Sequence, residues 1–187
     1  MNKVFLFIIV LITVLAAILL LVGETKETTI NLNKMSQEER IEWYTSTSNE
    51  EKKSVLTRQQ YFIIVERQME ASYLGDLTYN TEEGNYHSAV CNYHLFSSKD
   101  KFYSDCGWPA FSATIKSEVI SEFPDFHIGY KRVEVRSKEA NSHLGHVFDD
   151  GPAPSGLRYC INSAALRFIA KEDLDKEGYS EFKKIFE

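Results

Sequence analysis

Apolar and polar positions along the chain fall into three regimes. Val4–Val22 is an apolar run of 19 residues in which Thr13 is the only polar side chain. At about 1.5 Å per residue a helix of that length spans roughly 28 Å, close to the hydrocarbon thickness of a bilayer. Between residues 36 and 71 the pattern shortens into three capping-box signatures. Ser36-x-x-Glu39 opens a segment through Trp43, and Ser48-x-x-Glu51 opens one through Val55. Thr57-x-x-Gln60 opens one carrying Tyr61, Ile64, Val65 and Gln68 at i, i+3, i+4, i+7 spacing. Two or three short helices are predicted there. From residue 85 the runs Tyr86–Phe96, Ile128–Arg136, Leu144–Phe148 and Leu157–Phe168 are rich in aromatic and β-branched residues. Val133 and Val135 alternate with charges, which predicts a half-exposed strand. Turn signals separate the runs at Glu83-Gly84, Asp149-Asp150-Gly151-Pro152 and Pro154-Ser155-Gly156. The pattern predicts a mainly β domain, mostly antiparallel, preceded by short helices and by one transmembrane helix.

The N-terminal run has two principal readings, an anchor and a cleaved signal peptide, with a buried core helix as a third. Lys3 followed by an apolar run suits either of the first two. A signal h-region spans about 7–15 residues and ends in a small-residue cleavage site. This run is longer and ends Leu20-Leu21-Val22-Gly23, with no such site and no following cysteine. The anchor is therefore the expectation. Lys3 before the span, and Glu24, Lys26 and Glu27 after it, orient the C-terminal portion outside the cytoplasm under the positive-inside rule. Cleavage would instead leave a secreted or periplasmic protein. Glu24–Lys34, polar and rich in Thr and Asn, reads as a juxtamembrane linker.

Charge narrows the function classes. Charged residues are 26 % and apolar residues 43 % of the 187, which excludes a disordered chain and a multi-pass membrane protein. Lys3 is the only charge in residues 1–23, so residues 24–187 hold 20 basic against 27 acidic side chains. So acidic a remainder excludes a nucleic-acid partner, which requires cationic surface. Three cysteines are too few for a disulfide scaffold, and the odd number directs attention to a reactive thiol.

Cys160 lies in an apolar strand pattern, Leu157-Arg158-Tyr159-Cys160-Ile161-Asn162. It reads as a buried core cysteine or as a nucleophile. Its same-face neighbours, Arg158 and Asn162, are polar, and a guanidinium two residues away favours the thiolate. His143-Leu144-Gly145-His146 offers two imidazoles around a glycine, as zinc ligands or as a proton-donating pair. Cys106-Gly107-Trp108-Pro109 reads as a loop tip with Trp108 folded into the core, or as an exposed indole lining an apolar pocket beside a second thiol. Cys91-Asn92-Tyr93-His94 has C-x-x-H spacing without a partner pair.

Three of these stretches resemble one family. Cys106-Gly-Trp-Pro-Ala-Phe111, Ser142-His-Leu-Gly-His-Val-Phe-Asp-Asp-Gly-Pro152 and Gly156-Leu-Arg-Tyr-Cys-Ile-Asn-Ser163 are similar to signatures of the peptide-methionine (R)-S-oxide reductases, the B type of methionine sulfoxide reductase. Leu95-Phe-Ser-Ser98 adds a shorter match, and the likeness runs from about Leu56 to Phe168. With the readings of the N-terminal 55 residues, which lie outside it, the likeness divides the chain into an anchor or signal segment (1–23), a polar linker with short helices (24–55), a reductase domain (56–170) and a charged extension (171–187). The resemblance implies two antiparallel β-sheets. It implies Cys160 as nucleophile and Cys106 as resolving cysteine, with His143, His146, Arg158 and Asn162 beside them. Trp108 and Phe148 are implied as substrate-binding residues. The implied partners are oxidised proteins or peptides carrying methionine-R-sulfoxide and a thioredoxin-like reductant, with no organic cofactor.

The likeness breaks at one place. Many members bind a structural zinc through two C-x-x-C pairs, which align here with Ser88 and Cys91 and with Ser137 and Ala140. One cysteine of four remains, whereas a closed site needs four ligands. A zinc-free member is expected, with Cys91 a packed thiol. Two other readings of the site residues are a cysteine hydrolase using Cys160 with His143, and a membrane-tethered module that binds oxidised proteins without turnover. Neither would use a second redox thiol at Cys106.

Overall fold

The computed structural model describes residues 30–187, so the run Val4–Val22, its anchor reading and its orientation lie outside the described residues. Among the described residues no helix is long and apolar enough to cross a membrane.

The capping residues start helices where the sequence predicts. Ser36 Oγ accepts from Glu39 N, and the Glu39 carboxylate accepts from Ser36 N at 2.7 Å, opening α1 (Gln37–Ser46). Ser48 Oγ accepts from Glu51 N at the start of α2 (Asn49–Val55). Thr57 and Gln60 form a second reciprocal box at α3 (Arg58–Gln60), which widens into a π-helical turn at Tyr61–Val65. The periodicity carries this third helix to Gln68, but the structure ends it at Val65. Arg67 adopts a left-handed φ of 56°, and Gln68 N folds back to donate to Phe62 O. The π turn buries Ile63 and Ile64 and packs against the strand that carries both histidines of the H-L-G-H motif.

The rest is mainly β, in two antiparallel sheets. One has the order β2–β1–β9, from β1 (Gly84–Ser88), β2 (His94–Ser97) and β9 (Leu166–Ala170). The other has the order β3–β4–β8–β7–β6–β5. It comprises β3 (Lys101–Phe102), β4 (Ala110–Phe111), β5 (Ile120–Asp125), β6 (Arg132–Ser137), β7 (His143–Phe148) and β8 (Arg158–Ile161). Stacked Phe96 and Phe111, 4.5 Å between centroids, and Tyr86 edge-on to Phe111 at 4.9 Å join the sheets through aromatic contacts. Leu174, Tyr179, Phe182 and Phe186 close a second cluster over Ile169 of β9.

Several boundaries differ from the pattern. The run Tyr86–Phe96 is a hairpin turned at Asn92, whose φ is 55°. Leu157–Phe168 is two strands in different sheets, parted by a 3₁₀ turn at Ser163–Ala165. Strand β5 has no counterpart among the predicted runs. Its Pro124 argues against a strand but is tolerated because β5 is an edge. Glu134 of β6, expected on an exposed face, is 6 % exposed.

The positions aligned with a zinc site do not fit the metal. Cys91 is fully buried, and burial raises its thiol although the nearby hydroxyls of Ser88 and Ser137 offset part of the effect; Ser88 Oγ accepts from Cys91 N. One thiol, two hydroxyls and the methyl of Ala140 do not make a zinc donor set.

Candidate active site

Cys160 sits in the middle of the larger sheet, opposite Ala110 of β4 on one side and His146 of β7 on the other. It is 3 % exposed. Glycine at 145 permits this close approach, because a Cβ there would lie 2.1 Å from Cys160 O. In a regular strand His143 and His146, three residues apart, would point to opposite faces. The register between β6 and β7 slips here, pairing Val135 with Gly145 and Arg136 with His143, so Leu144 is the extra residue of a bulge. The bulge brings the two imidazoles together, edge to face at 5.7 Å.

Each imidazole is held by a carboxylate that an arginine also engages. His143 Nδ1 is 2.8 Å from Glu134 Oε1, and Arg136 donates to Glu134 Oε2 at 2.5 Å. Burial alone would raise Glu134, but hydrogen bonds from His143 and Arg136 more than reverse that and hold it at about 2. His146 Nε2 is 2.8 Å from Asp125 Oδ2, which also accepts from Arg132 at 2.6 Å. Burial opposes ionisation of Asp125 too. It nonetheless lies below the usual carboxylate range, through His127 N, His146 and Arg132. His146 itself is lowered, by burial first, with Asp125 offsetting part of the effect. His143 Nε2 is buried and has no partner among the described residues. It is a ring nitrogen left for a ligand, as is His146 Nδ1, whose ring is held through Nε2 alone among the described residues.

The second thiol meets the first. Cys106, on the loop before β4, lies with its sulfur 3.4 Å from that of Cys160, and both are free thiols. The Cys160 thiol donates to Cys106; this bond and burial raise Cys160. The same bond lets Cys106 fall to about 5. The two titrate as one pair sharing a proton. Arg158 favours the charge on either sulfur. Its guanidinium is fixed bidentately by Asp150, with both N–H···O distances 2.8 Å, and lies 4.4 Å above the Phe148 ring. Phe148 is thus stacked under Arg158.

A brace from the segment before β1 completes the site. Asn162, fully buried, accepts from Glu70 N at 2.9 Å. Its amide donates to Leu144 O at 2.9 Å and to Met69 Sδ at 3.4 Å. Glu70 O accepts from the Trp108 indole at 3.0 Å, and the Glu70 carboxylate accepts from Ser163 N and Ala164 N. Burial raises Glu70 despite those bonds. Trp108 is therefore pinned through its nitrogen, leaving the ring as an apolar wall.

The sequence picks out Cys160, Cys106, His143, His146, Arg158, Asn162, Trp108 and Phe148. The structure gathers the two thiols with Arg158, and the two histidines with each other. It adds Glu134, Asp125, Asp150, Glu70 and Met69. Of these, Glu134 carried a signal as an acid alternating with valines on a strand next to the histidine motif, and Asp150 as part of the Ser142–Pro152 motif. The hydrophobic groove of about 240 Å³ between Tyr73, Phe102 and Trp108 does not reach either cysteine.

Two unpaired thiols in contact, an adjacent guanidinium and carboxylate-held imidazoles form a redox-competent constellation. The SelR-domain family model matches residues 56–170, a span that contains all of these groups. The chain belongs to the SelR family, the peptide-methionine (R)-S-oxide reductases, and is an oxidoreductase.

Proposed function

We propose that the Cys160 thiolate reduces methionine-R-sulfoxide in oxidised proteins, with Cys106 as resolving cysteine and a thioredoxin-like dithiol as reductant. The observation that carries the reading is the 3.4 Å contact between the two sulfurs beside Arg158. Transfer of the shared proton from Cys160 to Cys106 leaves the thiolate, the nucleophilic form, next to the guanidinium. The sulfoxide methyl rests on the Trp108 ring and its oxygen accepts from His143 Nε2. Cys160 Sγ attacks the sulfoxide sulfur as a proton reaches the oxygen. The S–O bond to methionine then breaks, releasing methionine and leaving Cys160 as sulfenic acid. Cys106 attacks that sulfur and water departs. The Cys106–Cys160 disulfide is reduced by two thiols of the donor, which becomes a disulfide. Glu134 is the counter-ion when His143 carries the donated proton, and Asp125 orients His146.

The reading extends to the N-terminus. The run Val4–Val22 tethers the enzyme to a membrane, with the reductase domain on the extracytoplasmic side. An oxidising compartment would hold the thiol pair as a disulfide, so a membrane-side reductant of the thioredoxin class is required there.

The test is turnover of the two sulfoxide epimers with dithiothreitol. The R epimer should be consumed and the S epimer left. Cys160→Ser should abolish turnover, whereas Cys106→Ser should retain it with dithiothreitol and lose it with a thioredoxin-like donor. Equal consumption of both epimers, or activity in Cys160→Ser, would overturn the proposal.

A further inference from the structure

A groove of about 490 Å³ opens beside His143, and its charges do not balance among the described residues. Three guanidiniums, those of Arg67, Arg132 and Arg136, line it against two carboxylates, Asp125 and Glu134. Both carboxylates are already engaged. Asp125 serves Arg132 and His146, and Glu134 serves Arg136 and His143. Arg67 is the surplus cation. Among the described residues the only carboxylate oxygen within 4.0 Å of it is Glu134 Oε1, at that limit and beyond hydrogen-bond length, and its side chain is 52 % exposed. Its backbone is left-handed, with φ 56°, a conformation that disfavours any residue with a Cβ. The tight reversal after the π turn thus holds a long cationic side chain at the rim of the groove.

The position of that cation relates it to the reacting centre. The Glu134 oxygen that faces Arg67 at 4.0 Å is the one that holds His143 Nδ1 at 2.8 Å. Arg67 therefore stands one carboxylate oxygen away from the imidazole. An extended peptide advances about 3.3 Å per residue, so a side chain one or two positions from the reacting methionine reaches this distance. Phe126 and Ile128, which also line the groove, expose apolar side chains at the tip of the β5–β6 hairpin, where a bound peptide would displace water.

We propose that this groove receives the residues flanking the oxidised methionine, and that Arg67 selects substrates with an acidic side chain one or two positions from the sulfoxide. The inference rests on the reading of Cys160 and His143 as the reacting centre. It runs against the overall charge: a chain of net charge −6 repels acidic peptides at long range. The preference is thus a short-range contact, and it persists at 0.15 M salt, where screening beyond about 8 Å removes the long-range field.

The test uses the full-length chain and three peptides that differ only in carrying glutamate, glutamine or lysine on both sides of methionine-R-sulfoxide. A fourth substrate, N-acetyl-methionine-R-sulfoxide methylamide, has no flanking side chains. The kcat/KM for the glutamate peptide should exceed that for the lysine peptide by about five-fold, the upper range for a half-exposed ion pair. Arg67→Glu should reverse the order, and Arg67→Lys should keep it. Each ratio is taken within one variant, so loss of folded protein cancels. Equal kcat/KM for all three peptides in the unsubstituted enzyme overturns the proposal, as does an unchanged order in Arg67→Glu. Failure of the reacting-centre reading is a separate result: the blocked amino acid would go unreduced, or would still be reduced by Cys160→Ser.

Discussion

Asn162 is the residue through which the thiol strand grips the segment that carries Glu70 and Met69. Replacing it by alanine removes two good hydrogen bonds, to Glu70 N and Leu144 O, each 2.9 Å. Leu144 O keeps a second donor in Asn162 N, but Glu70 N is left buried without an acceptor. At roughly 1 kcal/mol for the lost bond to Leu144 O and 1–3 kcal/mol for the orphaned Glu70 N, Asn162→Ala should cost about 3 kcal/mol. For a domain of this size that lowers Tm by about 6–12 °C. Because Glu70 O also holds the Trp108 indole, KM for the sulfoxide should rise as well. Asn162→Asp sharpens the test. A neutral carboxylic acid can accept from Glu70 N and donate to Leu144 O as asparagine does, whereas a carboxylate turns a charge toward a carbonyl oxygen. Burial raises such a carboxyl above its unfolded value near 3.9, and a shift of two to three units amounts to about 3–4 kcal/mol at pH 7. That loss is present above the raised folded pKa and is relieved as pH falls through it toward about 3.9. Urea unfolding from pH 7 to 4.5 should therefore show the gap between Asn162→Asp and the unsubstituted protein closing with acid. A pH-independent gap, or an Asn162→Ala loss under 1 kcal/mol, would refute the brace.

Three further outcomes are expected. Burial lowers His87 to about 3 and His94 to about 4, so the unfolded chain binds more protons below their ordinary 6.5. Glu134, held at about 2, stabilises the fold above about pH 4.5 and loses its contribution as pH falls through 2. Urea midpoints should thus fall progressively below pH 6.5, and a flat profile from pH 7 to 5 would contradict the two histidines. Gly145→Ala forces a Cβ to 2.1 Å from Cys160 O and 3.0 Å from Ile161 Cα, both backbone atoms, and should cost about 3 kcal/mol or more; a melt within 2 °C of the unsubstituted protein would count against this packing. Protease added to cells with any outer barrier opened should digest the domain and spare cytoplasmic markers, whereas full protection would reverse the orientation and release of a chain lacking about 23 residues would favour a signal peptide.

Local chemistry was readable in the sequence where one or two residues decide the outcome. Ser36, Ser48 and Thr57 start helices because a hydroxyl three residues before an N–H satisfies it whatever the tertiary context. The motif around Cys160 showed Arg158 and Asn162 on one strand face because strand period is fixed. What remained hidden depends on partners distant in sequence. Glu134 looked like a solvent-facing acid, and only pairing with β7 reveals it as the buried partner of His143. The histidines at i and i+3 share a face only through the bulge at Leu144, which no local pattern announces. Glu70 and Met69 lie more than 90 residues from the Asn162 and Ser163 that they contact. Strand β5 was obscured by Pro124, whose tolerance depends on edge position, a property of sheet order.

The central claim is that Cys160 takes the sulfoxide oxygen and Cys106 resolves the product. It is tested most directly by mass spectrometry of the thiols after one turnover without reductant. One equivalent of methionine-R-sulfoxide should yield one equivalent of methionine and a Cys106–Cys160 disulfide, with Cys91 still a free thiol. In Cys106→Ser the same equivalent of methionine should form and a sulfenic acid, trapped by dimedone, should appear on Cys160. Methionine formed by Cys160→Ser, a disulfide that includes Cys91, or a sulfenic acid found on Cys106 would contradict the account.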